Sequence, residues 1–127
     1  MQDTKPFETE QNVSFLKRPR RFTLAQAQNF VSILDGITFM AMELVTPLME
    51  ELKNPLGTQD KQVVTQKVQK IVSMWSEQVL YFGGITRGLW MVDFDCGDGF
   101  YTWVYGEKSI SSYRTYHQDF SDRTPIS

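Results

Sequence analysis

Two dense apolar runs, Leu89–Phe94 and Phe100–Tyr105, stand on either side of Asp95-Cys96-Gly97-Asp98-Gly99. Each is too short for an ordinary helix and is rich in aromatic or β-branched side chains, as strands are. The glycines between them supply the positive φ that a tight reversal needs. The pattern predicts a β-hairpin. Gly106-Glu107-Lys108 makes the next turn, and Ile110–Tyr116, rich in Ser and Tyr, makes a third strand. Strands are expected at about 88–94, 100–105 and 109–116, paired as an antiparallel meander.

A three-stranded sheet needs an apolar cover. The first half of the chain is patterned to provide one. Thr23 is placed to cap a helix, and Gln26, three residues later, completes a capping box behind Phe22. Leu24, Ala27, Phe30, Val31, Leu34, Ile37, Ala41, Leu44, Val45 and Leu48 then recur at helical spacing, as one apolar stripe. Pro47 is expected to kink or end this helix. Val63, Val64, Val68, Ile71, Val72, Trp75, Val79 and Phe82 trace the apolar face of a second helix, stopped by Gly83-Gly84. Helices are expected at about 23–53 and 59–82. The fold class is therefore α+β: a long antiparallel helical hairpin followed by a three-stranded antiparallel β-meander packed on it. At 127 residues the chain suits a single domain, 22–127, behind a flexible N-terminal arm, 1–21, that ends in Lys17-Arg18-Pro19-Arg20-Arg21.

Several classes of function are disfavoured by what is missing. Net charge is −2, so nothing pulls the whole molecule toward nucleic acid or acidic lipid. The basic run in the arm is the only feature that favours phosphates, and a solvated run is the commoner meaning. Cys96 is the sole cysteine, which rules out an intrachain disulfide and fits a reducing, cytoplasmic setting. No window is expected to approach a membrane span, and no membrane partner is expected. There is no phosphate loop, nucleophile elbow or dinucleotide fingerprint, and no cofactor is implied.

The candidate sites are few. Asp93, Asp95 and Asp98 surround a glycine turn, but the long loop and distal glutamate of a calcium site are absent. One Cys and one His cannot alone make a zinc site. Cys96 with His117 is a nucleophile pair only if the meander brings them together. No catalytic residue and no metal ligand is assigned. Asp93 lies inside an apolar strand, where a lone carboxylate is costly to bury. Arg123 is the expected partner, its guanidinium fork pinning the tail to the sheet. Asp93, Glu107, Arg114 and Arg123 are the candidate ligand-binding set. Alternation along the second strand puts Tyr101, Trp103 and Tyr105 on one side, and they are the candidate interface residues.

The same residues carry a resemblance. Phe22-Thr23-Leu24-x-x-Ala27, Gly88-Leu89-x-x-Val92-Asp93-Phe94, Trp103-x-x-Gly106-Glu107 and Phe120-x-x-Arg123-x-Pro125-Ile126 span nearly the whole chain after the arm. In order and spacing they resemble a small bacterial family catalogued as domain of unknown function 2203. The resemblance implies no activity or cofactor, because family members are uncharacterised. The chain also departs from the pattern. Members often carry Trp-His in the third strand, where this chain has Tyr113-Arg114, and Gly-Phe-Ala-Gly-Arg where it has Asp119-Phe120-Ser121-Asp122-Arg123. The segment between the second helix and the first strand is also shorter here.

These observations favour a non-enzymatic interaction or scaffold protein that self-associates, as a homodimer or with a protein partner, through the aromatic face or the long helices. The alternative is a small-molecule binder or enzyme using a polar cleft around Asp93 and Arg123.

Overall fold

The computed structural model describes residues 21–54 and 60–126. The expected arm, 1–21, lies almost wholly outside these residues, as does most of the expected loop between the helices. The described chain folds as α1 (Leu24–Gln28), α2 (Val31–Lys53), α3 (Lys61–Tyr81), β1 (Ile85–Gly88), β2 (Met91–Asp95), β3 (Gly99–Val104), β4 (Ser112–Thr115), a 3-10 turn (Phe120–Asp122) and β5 (Thr124–Pro125). It is an α+β fold, with the helices packed against one antiparallel sheet.

The helix starts follow the predicted chemistry. The Thr23 side chain accepts from Gln26 N, and Gln26 Oε1 accepts from Thr23 N, so the capping box is closed. Asp60 caps α3 by accepting from Gln62 N at 2.9 Å. The Lys61 ammonium reaches back to the carbonyls of Glu51, Leu52 and Asn54 at the end of α2, where a cation is favoured. Gly83, at φ 92°, ends α3 in a Schellman arrangement. Its N–H donates to Leu80 O, and the Gly84 N–H donates to Val79 O.

Two helical details differ from expectation. The first helix is not continuous: a turn at Asn29-Phe30 separates α1 from α2. That turn lets Phe30 stand against Phe22, Phe82 and Phe94. Helix α2 runs through Pro47 and ends at Lys53. It meets, by length and composition, the requirement for a membrane span, with 28% of that window buried. This corrects the expectation that no window approaches one. Between Val31 and Met49 only Asp35 and Glu43 are charged, which is why the stretch qualifies.

The sheet has five strands in the order β1-β2-β3-β4-β5, each antiparallel to the next, where three were expected. The expected strands correspond to β2, β3 and β4. Strand β1 hides in Ile85-Thr86-Arg87-Gly88, four residues too short to display an alternation. Strand β5 has two residues, one of them a proline, which an edge tolerates. The expected first strand, 88–94, in fact contains the β1–β2 reversal. Trp90 takes φ 121° there, and its N–H donates to Gly88 O. A positive φ is strained for a bulky residue. Trp90 is held in it by edge-on packing against Trp75, centroids 4.9 Å apart.

Register assigns the two faces of the sheet. Val92 lies opposite Trp103, and Phe94 opposite Tyr101, which lies opposite Tyr113. Val92, Phe94 and Trp103 join Phe22, Ala27, Val31, Leu34, Ala41, Trp75 and Val79 in the core. Gly84 sits where an added Cβ would lie 2.7 Å from Val92 Cγ1 and 2.8 Å from Val79 Cγ1, so only glycine lets α3 turn this closely into the sheet. Between the helices, Trp75 Nε1 donates to Thr38 Oγ1 at 2.9 Å, satisfying two polar groups inside the core. The Gln28 amide both donates to Ile110 O and accepts from Ile110 N, tying α1 to the β3–β4 connection.

Candidate functional site

The outer face of the sheet carries a polar cluster. Asp93 lies opposite Thr102 and Ile85, while Asp95 lies opposite Phe100, which lies opposite Arg114. Asp93 is fully buried, and its carboxylate is saturated. Thr102 Oγ1 donates to Oδ1 at 2.7 Å, Arg87 Nε donates to Oδ2 at 3.0 Å, and Arg114 Nη2 also donates to Oδ2. Arg114 reaches Asp93 across β3, passing over the Phe100 ring with its guanidinium carbon 4.9 Å from the centroid. The Arg87 guanidinium carbon lies 5.0 Å from the same centroid. Arg114 Nη1 donates to Gln118 O at 3.0 Å. Among the described residues, Arg114 Nε and Ser112 Oγ are buried without a hydrogen-bond partner.

The need for a cationic partner to Asp93 was therefore legible, but the partner is different. Arg123 does not reach the carboxylate. It lies past the 3-10 turn, with its guanidinium carbon 3.8 Å from the Phe120 centroid and Nη1 donating to Phe120 O. The tail is pinned by other means. β5 pairs with β4, and Ile126 N donates to Ser111 O at 2.8 Å. Glu107 is separate again. Its Oε1 accepts from Val104 N, and its carbonyl accepts from Trp103 Nε1, so it closes the turn after β3. Of the candidate set, the structure brings together only Asp93 and Arg114. Arg87 joins them; it was not foreseen because β1 was not recognised.

The aromatic candidates fall on the inner face. Trp103 is completely buried, and Tyr101 and Tyr105 are half-buried against the core. As an interface this face is superseded: it already covers the helices, so Trp103 has no surface to offer.

The hairpin loop has no acid–base machinery. Asp95 Oδ1 accepts from Gly97 N at 2.9 Å and from the Tyr116 hydroxyl at 2.6 Å. Partial burial pushes the Cys96 thiol above its ordinary value, and its side-chain contact is the carboxylate of Asp98, which opposes a thiolate. The hydrogen bond to Asp95, with some desolvation, raises Tyr116 to about 12. Desolvation also raises Tyr101 and Tyr113. Among the described residues no group of three acid, His or Cys side chains is placed to hold a metal ion.

The open surface lies on the helices. Met40, Leu44 and Met74 are 67, 60 and 57% exposed. With Ile37, Ala41, Ile71, Trp75 and Gln78 they line a groove of about 220 Å³ between α2 and α3, on the flank not covered by the sheet. Exposed apolar side chains gathered along one groove, rather than scattered, mark an interaction surface. The sequence put Ile37, Leu44 and Ile71 on the apolar stripes expected to be covered, and the structure leaves Leu44 exposed at this groove because no described element packs on that flank of the hairpin.

No curated protein and no solved structure matches the chain. Residues 20–126 match a family described as an uncharacterised conserved protein, DUF2203, and this span takes in every described helix and strand. The chain belongs to the DUF2203 family.

Proposed function

We propose that the protein is a non-enzymatic interaction module that assembles with a second copy of itself through the α2/α3 face. The observation that carries this reading is the open groove with Met40, Leu44 and Met74 exposed beside it. Methionine suits such a face because its unbranched thioether adapts to whatever packs on it. The polar alternative around Asp93 and Arg123 has less support. Arg123 stands apart, and the Asp93 carboxylate already accepts from three side chains.

Light scattering of the full chain at micromolar concentration tests the proposal. The expected result is a dimer for the wild type and a monomer for Met40→Glu, with unchanged circular dichroism because Met40 contributes mostly exposed surface. A monomeric wild type at these concentrations overturns the reading.

A further inference from the structure

The two helices that border the groove differ in charge. Helix α2 carries Asp35, Glu43, Glu50 and Glu51 against Lys53. Helix α3 carries Lys61, Lys67 and Lys70 against Glu77. The charges are also sorted by height. Leu44 and Ile71 line the same groove, so Glu43, Glu50 and Glu51 lie toward the same end of the hairpin as Lys67 and Lys70. Among the described residues, none of these five side chains forms an ion pair. Glu51 Oε2 is buried without any hydrogen-bond partner.

A face-to-face dimer of two hairpins can place its twofold axis in two simple ways. If the axis runs across the helices, α2 packs on α2 of the other copy, and two acidic helices meet. If the axis runs along the helices, α2 packs on α3 of the other copy. Each end of the hairpin then stays at its own height, so the acids of α2 meet the lysines of α3. Both arrangements keep all neighbouring helices antiparallel, as in an up-and-down four-helix bundle, so charge is what separates them.

We infer that the occupant of the groove is a second copy of this chain, docked with its α3 over α2 and its α2 over α3. This inference rests on the self-association reading and adds the pairing to it. Ile37, Met40, Leu44, Ile71 and Met74 form the apolar centre of the bundle. Lys67 and Lys70 of each copy flank it and face Glu43 and Glu50 of the other. Charge sorting fixes the register, and apolar burial supplies the affinity.

Sedimentation equilibrium on full-length chains separates the two claims. Glu43→Lys with Glu50→Lys is expected to raise the dimer dissociation constant roughly tenfold, a plausible sum of several exposed ion pairs. Adding Lys67→Glu and Lys70→Glu to the same chain is expected to restore it to near the wild-type value. That rescue also shows that the reversed chains fold. If Met40→Glu dissociates the dimer while both charge variants behave as wild type, the inferred pairing is wrong and the self-association reading stands. If the wild type is monomeric, or sediments with phosphatidylglycerol vesicles instead of with itself, both fall.

Discussion

Arg114 donates to the buried carboxylate of Asp93 from two strands away, crossing β3 over the ring of Phe100. Asp93 is fully buried and Arg114 is only 8% exposed, so each offsets the cost of burying the other. The pair therefore locks the β2–β3–β4 register from the outer side, while the core locks it from the inner side. Asp93→Ala leaves a buried guanidinium uncompensated and is expected to cost about 3–5 kcal/mol in urea denaturation. Arg87→Ala is expected to cost about 1 kcal/mol or less, since the Arg87 side chain is 43% exposed and solvent screens its charge.

The hydrogen bond from Trp75 to Thr38 makes a second, independent test of the core. Thr38→Val keeps the shape and removes the acceptor, leaving a buried indole N–H with no partner. The expected loss is about 1–3 kcal/mol, read from the denaturation midpoint at unchanged slope.

Two glycines should respond in opposite directions. A Cβ at Gly99 collides with the backbone carbonyl of Arg114 on the paired strand, so Gly99→Ala is expected to destabilise by about 2 kcal/mol or more. A Cβ at Gly36 meets nothing within 4 Å, and Gly36 lies inside helix α2. Gly36→Ala is expected to raise stability by about 0.5–1 kcal/mol, because alanine loses less backbone entropy in a helix. Thermal melts of the two variants beside the wild type check both signs.

Tyr116 gives the hairpin end an alkaline pH dependence. Its folded value, about 12, lies above the ordinary 10.0 because its hydroxyl donates to the Asp95 carboxylate. The retained proton contributes stability fully below pH 10. As pH rises, the unfolded chain loses its proton first, so this stability declines and is gone once pH passes about 12. Tyrosinate absorbance is expected to show a last step near 12 that Tyr116→Phe abolishes. Between these pH values the variant should also lose less stability than the wild type.

How much was readable in advance depended on the range of the interactions involved. The capping box at Thr23 and Gln26, the Gly83 stop and the Asp95–Gly99 reversal are local. Their chemistry is complete within a few residues, so composition and spacing were enough. The need of Asp93 for a cation was legible for the same reason: a carboxylate in an apolar strand requires one wherever the strand is buried. Which cation answers was not legible. Arg87, Arg114 and Arg123 were equivalent as letters, and only strand order and register select the first two.

The sequence by itself determined the α+β class, the helical hairpin, the central three strands and the family. The class, the hairpin and the strands follow from periodicity and turn chemistry, which act over short stretches; the family follows from the match of residues 20–126 to its pattern. Tertiary structure alone decided the two extra strands, because β1 and β5 are too short to signal themselves and exist only by pairing with neighbours. It also decided which aromatic face is covered. Tyr101, Trp103 and Tyr105 face inward because Val92 and Phe94, on the same side of the sheet, pack on the helices. Burial depends on what lies opposite in space. The groove of Met40, Leu44 and Met74 could be recognised only once the sheet had taken its place on the other side of the helices.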